Sequence, residues 1–218
     1  VVAIDGAAGS GKSTLALRLA RRLGLAYVNT GLMYRALAAA ALRARVVPDD
    51  AAGLEDLMSG LSFKMVPGDP PTLEVDGYTS QDLTSLDVEA TVSAVARHPA
   101  VREAMRTAQR AIGLGRGAVM EGRDIASVVF PDAPVMLFLV ADPGARATRR
   151  ALERDAGSES VGRELQARDA ADARTNALVP VSGADVIDTG LLSIEETLEE
   201  ALRVVARRAP WLDRSEDR

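Results

Sequence analysis

The chain has 218 residues, 47% of them hydrophobic and 26% charged, which suits one globular domain with a sizeable core and excludes a disordered segment. A formal net charge of −5 argues against non-specific nucleic-acid binding. Mean hydropathy is +0.03 and no run of about 18 apolar residues occurs, so no membrane-spanning helix and no membrane partner are expected.

In chain order, the apolar run Val1–Asp5 ends at a glycine cluster and reads as a buried parallel strand. Ser13–Leu23 follows, with Leu15, Leu19 and Leu23 at helical spacing and Gly24 as a stop signal. Leu25–Val28 reads as a second strand and the Ala- and Leu-rich Leu32–Arg45 as a second helix, giving the rhythm of an α/β fold with a parallel sheet. Leu61–Val66 and Thr72–Val75 are short β-like runs around a Pro-rich turn, so about 60–86 is read as a small antiparallel insertion. Val88–Ile112 is helical with a break at His98-Pro99. Strands at Ala118–Glu121, Val135–Val140 and Val186–Asp188 then alternate with helices from about Pro143 and Ile194. No secretory leader is read, and a first residue other than Met suggests a trimmed or fused start.

Cysteine is absent and His98 is the single histidine, so thiolate chemistry is removed and a histidine zinc centre is unsupported. A metal here is expected to be oxygen-ligated Mg²⁺. Gly6-Ala7-Ala8-Gly9-Ser10-Gly11-Lys12-Ser13 fits G-x-x-x-x-G-K-[ST] with no mismatch, between an apolar strand and an amphipathic helix. Glycines let backbone N–H groups approach phosphate oxygens, and a helix N-terminus favours an anion. Lys12 can reach the β/γ-phosphates and Ser13 can ligate Mg²⁺. An NTP-binding protein follows. The chain has no NKxD-type guanine motif, and an Arg-rich compact chain fits a small-molecule kinase.

Three clusters offer a second anion site. Thr30 and Arg35 lie after the second strand, where open α/β sheets bind ligands, although Thr30 can equally cap the next helix. Ser93 and Arg102 flank the His98-Pro99 break. Glu121-Gly122-Arg123-Asp124 follows a short strand; Arg123 suits phosphate, Asp124 an amino or hydroxyl group, and Glu121 a Mg²⁺-bound water. Arg146, Arg149, Arg150 and Arg154 at helical spacing, then Arg168, Asp169, Asp172 and Arg174, suit either a mobile lid or two solvated helix faces.

The segments AIDGAAGSGKST (3–14), NTGLMYRAL (29–37), VSAVARHPAVREAM (92–105), EGRDIASVVFPDAP (121–134), RATRR (146–150) and RDAAD (168–172) together resemble bacterial cytidylate kinases, across almost the whole chain. The resemblance implies an α/β, P-loop, three-layer, adenylate-kinase-like fold with a central parallel sheet. It also implies an acceptor-nucleotide region over 30–105 and a lid over 150–178. It implies transfer of the ATP γ-phosphoryl group to CMP and dCMP with Mg²⁺, by a cytoplasmic monomer. Gly6, Ala7, Ala8, Gly9, Ser10, Gly11, Lys12, Ser13 and Thr14 would hold the ATP phosphates, with Ser13 and Glu121 serving Mg²⁺. Thr30, Arg35, Ser93, Arg102, Arg123, Asp124, Arg168 and Asp172 would bind CMP. Lys12, Arg123, Arg168 and Arg174 would act on the transferring group. Three departures stand out. Ala126-Ser127 replaces the usual Gly-Thr, and Asn29 a frequent Asp. Thr175 stands where the family has a second lid arginine; the neighbouring Arg174 is displaced by about 100° around a helix. Other P-loop kinases, acting on UMP, shikimate or dephospho-coenzyme A, are the runner-up reading; an ATP-dependent regulatory module is a third.

Overall fold

The computed structural model describes residues 1–154, 157–173 and 178–212, apart from the side chains of Arg116, Glu153, Arg154 and Arg168. Strand β1 (Val2–Gly6) occupies the interior of a seven-stranded sheet. Its neighbours are β5 (Ala118–Gly122) and β6 (Val135–Val140), both parallel to it. Val2, Ala3 and Ile4 are fully buried, because helices cover both faces of a parallel sheet; this is why β1 reads as a continuous apolar run. Outside β5 lies β2 (Ala26–Asn29), and outside β6 lies β7 (Asp185–Asp188), again parallel.

The remaining strands, β3 (Phe63–Val66) and β4 (Thr72–Val75), pair antiparallel, as the turn signals predict. They do not stand apart from the sheet, however. Strand β4 pairs in parallel with β2 at Tyr27 and Thr72, and Tyr27 N–H donates to Pro71 O at 2.8 Å. The full order is β3-β4-β2-β5-β1-β6-β7.

One face of the sheet carries α1 (Lys12–Leu23) and α9 (Ile194–Arg208). Leu15, Leu19 and Leu23 of α1 are buried there, and Gly24 closes the helix in the left-handed conformation, φ 66°. The other face carries α2 (Thr30–Ala44), α5 (Leu86–Ala96) and α6 (Pro99–Arg116) over a second apolar core. The break expected at His98-Pro99 separates α5 from α6. Pro99 takes the first position of α6, where a missing N–H costs no bond. Two short helices lack a sequence expectation: α3 (Ala51–Ser59) and α4 (Ser80–Thr84). Both rest on side-chain caps, Asp50 accepting from Gly53 N–H and Thr79 forming a capping box with Asp82. Helices α7 (Pro143–Arg154) and α8 (Ser158–Ala173) pack on each other through Ala147, Ala151, Val161 and Leu165.

The sheet register decides where chemistry can occur. Asp5 of β1 lies opposite Gly122 of β5, and Asn29 of β2 opposite Glu121. The C-terminal ends of three strands therefore meet at one edge, which is where parallel sheets bind ligands.

Candidate active site

The loop from Gly6 to Lys12 needs glycine for reasons the structure makes specific. Gly6 has φ 150°, and a Cβ there would stand 2.4 Å from the Leu139 carbonyl oxygen of β6. Gly11 has φ 89° and opens α1, yet a Cβ there would meet nothing within 4 Å among the described residues. The space in front of the helix N-terminus is open, and the first-turn N–H groups face it without intrahelical partners. Two cations and a hydroxyl hold the loop from behind. Lys12 Nζ donates to Ala7 O at 2.7 Å, Arg146 Nη1 to Ala8 O at 3.1 Å, and Thr189 Oγ1 to Ser10 O at 2.9 Å. Ser10 is fully buried, and its Oγ has no hydrogen-bond partner among the described residues.

Residues of the second and third clusters read from the sequence pair with each other and with α8. Arg123, just past β5, pairs with Asp172 of α8 at 2.7 Å, and Ser93 of α5 donates to the other Asp172 oxygen at 3.2 Å. Arg102 of α6 pairs with Asp124 at 2.8 Å. These two lie on a cleft of about 590 Å³ that Tyr34 and Gln109 also line. Arg146 pairs with Asp169 at 2.6 Å, whereas Arg123 Nη1 and Asp169 Oδ1 are 3.8 Å apart, too far for a hydrogen bond. Among the described residues, Arg123 Nη1, Arg146 Nε and Asp169 Oδ1 are buried without hydrogen-bond partners. Each such orphan costs about 1–3 kcal/mol, so this cluster suits an additional polar ligand.

Arg35 donates to Leu83 O at 3.1 Å and to Glu89 at 3.0 Å; Arg150 of α7 reaches the same Glu89 oxygen at 2.5 Å. Arg149 donates to Thr189. The α7 arginines therefore face inward, which removes the solvated-face reading for Arg146, Arg149 and Arg150. Thr30 does not cap α2. Asn29 holds the cap position, and Thr30 Oγ1 donates to Glu121 O at 2.8 Å, fastening α2 to β5. Arg168 lies on α8, with its side chain outside the description; Arg174 and Thr175 lie outside the described residues altogether.

Sequence reasoning passed over Tyr27, which read as strand filling. Its hydroxyl donates to Glu121 Oε1 at 2.8 Å, Asn29 Nδ2 reaches it at 3.4 Å, and the Ser13 hydroxyl lies near it. Burial, then the Glu121 charge, raises the phenol well above its ordinary pKa, so it stays a donor at neutral pH. Ser13 and Glu121 thus both neighbour one phenol, and each carries an oxygen suited to Mg²⁺. Among the described residues no group of three or more His, Cys, Asp or Glu gathers around a common point. Mg²⁺ on so few protein ligands would draw on phosphate oxygens and water, as that ion commonly does.

A phosphate loop at the carboxyl edge of a parallel sheet, with arginine–carboxylate pairs just past the neighbouring strand β5, defines a P-loop phosphotransferase. A family profile for cytidylate kinase matches residues 2–207. A cytidylate kinase from Roseiflexus castenholzii is 42% identical over 229 aligned positions, covering 100% of this chain and 97% of the relative. One from Pelotomaculum thermopropionicum is 41% identical, covering 94% of each. A bifunctional pantoate ligase/cytidylate kinase from Parasynechococcus marenigrum is 39% identical, with 96% of this chain matching 44% of that longer protein. The chain belongs to the cytidylate kinase family.

Proposed function

We propose that this protein transfers the γ-phosphoryl group of ATP to CMP, and to dCMP, releasing ADP with CDP or dCDP. The observation that carries the reading is the pairing, at two consecutive residues past β5, of Arg123 with Asp172, which Ser93 also contacts, and of Asp124 with Arg102. Arginine grips a monophosphate through two parallel N–H bonds, and Asp124 with Ser93 offers hydrogen-bond partners to an amino base and a ribose. The acceptor phosphate is already an anionic nucleophile, so no strong general base is required. Catalysis then rests on positioning and charge stabilisation.

Within that scheme the backbone of Gly6–Thr14 cradles the donor phosphates. Lys12 leaves the Ala7 carbonyl for the β/γ-oxygens, and Arg123 orients the acceptor phosphate. Thr30 and Arg35 border the acceptor. Arg168 and Arg174 complete the charge clamp from the lid segment 150–178, closing together with the acceptor region 30–105 to exclude water. Mg²⁺, held by Ser13 and through water by Glu121, would neutralise charge across the β- and γ-phosphates. By resemblance to its family the protein works as a cytoplasmic monomer; size-exclusion chromatography with light scattering tests the oligomeric part.

A coupled ADP-release assay with ATP, Mg²⁺ and a panel of CMP, dCMP, UMP, AMP, GMP and shikimate tests the reading. Turnover with CMP and dCMP above all others is expected. Preference for UMP or shikimate would move the protein to another acceptor. ATP binding without turnover of any acceptor would mark a regulatory module.

A further inference from the structure

Asp5 is a buried carboxylate, 4% exposed, in a strand whose other interior positions are apolar. Holding a charge there is costly unless it is hydrogen-bonded. Its two oxygens are both engaged, and not with the phosphate loop that begins at the next residue. Asp5 Oδ1 accepts from Ile125 N–H and Oδ2 from Ala126 N–H, each at 2.8 Å. These donors open a single wide turn, Ile125–Val129, of π-helical form. At the other end of the turn, Arg110 of α6 donates through Nε to Val129 O at 2.7 Å and through Nη2 to Val128 O at 3.0 Å.

A turn this short leaves its first N–H groups and last carbonyls without internal partners. Here an anion satisfies the amino end and a cation the carboxyl end, each matching the turn's dipole. The turn begins immediately after Arg123-Asp124, and the Asp124 carbonyl accepts from Val128 N–H at 2.9 Å and Val129 N–H at 3.2 Å. Fixing the turn therefore fixes the backbone that aims Arg123 and Asp124. Burial raises the Asp5 pKa to about 6, so at neutral pH it is ionised and both oxygens accept. An asparagine there would accept only one of the two N–H groups.

We propose that Asp5 is a positioning residue for the phosphoryl acceptor: through the turn 125–129 it couples the donor-phosphate strand to Arg123 and Asp124, with Arg110 locking the far end. The inference rests on the reading of Arg123 and Asp124 as acceptor-binding groups. The test compares Asp5→Asn, Arg110→Gln and Asp124→Asn, singly and with Asp124→Asn combined with each of the others. The readouts are the KM for CMP, kcat, and the ATP dissociation constant measured without CMP. D5N and R110Q are each expected to raise the CMP KM about five- to tenfold, on the scale of one lost hydrogen bond, while ATP binding changes by less than about twofold. In the D124N background their added effect is expected to shrink, since only Arg123 is left to transmit it and coupled residues are non-additive. If D5N fails to fold, R110Q decides, since its side chain is exposed. Wild-type CMP KM in R110Q overturns the clamp, as does an equal loss of ATP affinity or an undiminished effect on top of D124N. Wild-type CMP kinetics in D124N alone overturns the acceptor-site reading, and the clamp with it.

Discussion

Lys12 sits at 9% exposure with its ammonium on the Ala7 carbonyl, inside the loop it serves. Under the proposed mechanism, truncating it removes a charge that would act on the transferring group, while the loop's shape still rests on Gly6, Arg146 and Thr189. Lys12→Ala is therefore expected to keep its circular dichroism and melting behaviour but lose kcat by about three orders of magnitude or more, the scale of a missing transition-state charge partner. Near-wild-type kcat would remove Lys12 from the chemistry. Asp5 bears on stability in the opposite sense from a surface carboxylate. Burial is the main cause of its rise from 3.8 to about 6; the Asp124 charge also raises it, while the N–H groups of Ala126 and Ile125 and the Lys12 charge oppose. The folded state thus holds the Asp5 proton more tightly than the unfolded chain. Its contribution to stability is fully present below about pH 3.8 and is lost as pH rises through about 6, about 3 kcal/mol in all. A carboxyl ¹³C titration is expected to show a midpoint near 6 for Asp5; a midpoint near 4 would show that the pocket does not resist ionisation.

At the scale of elements, α9 separates stability from activity. It packs on α1 behind the sheet, and its start is fixed by a capping box in which Ser193 accepts from Glu196 N–H and Glu196 from Ser193 N–H. Ser193→Ala is expected to cost about 1 kcal/mol and lower the melting temperature by about 2–4 °C with kcat and KM unchanged. A thermal melt paired with the ADP-release assay checks both halves. Elements like α1 and β1 were legible in the sequence because apolar spacing and glycine stops pointed the same way. The placement of β4 was not. Its attachment to β2 is a backbone pairing at Tyr27 and Thr72, for which the side chains carry no signal. The turn 125–129 was equally hidden, since its supports, Asp5 and Arg110, lie far away in sequence. In the site, the phosphate loop could be read outright because its chemistry is contiguous. Arg123, Ser93, Arg102 and Asp172 could be named as candidates, but their pairings depend on which strand ends and helices the fold brings together. Tyr27 escaped notice because a strand aromatic is ordinarily core, and only the register opposite β5 gives its hydroxyl to Glu121.

Across the whole molecule, the Glu89 side chain ties α2 and α5 to the helical pair that includes α7. Glu89 of α5 is 11% exposed and receives Arg35 of α2 and Arg150 of α7 on the same oxygen. Two guanidiniums so close together would repel without the carboxylate between them, and neither side chain is well solvated, at 12% and 27% exposure. Removing one member of a largely buried ionic cluster is more damaging than removing a surface pair, because the remaining charges keep their desolvation cost. Glu89→Gln keeps the shape and one acceptor oxygen but loses the charge. It is expected to destabilise the protein by about 2–3 kcal/mol in urea denaturation, less than a fully buried pair because Arg150 retains some water. Arg150→Gln, which leaves Arg35 and Glu89 paired, is expected to cost less than half of that. A double variant should be no worse than Glu89→Gln alone, since the repulsion it relieves is between the two arginines. Equal losses from the two single changes, adding in full when combined, would show that Glu89 serves Arg35 and Arg150 independently and does not join the two parts of the molecule.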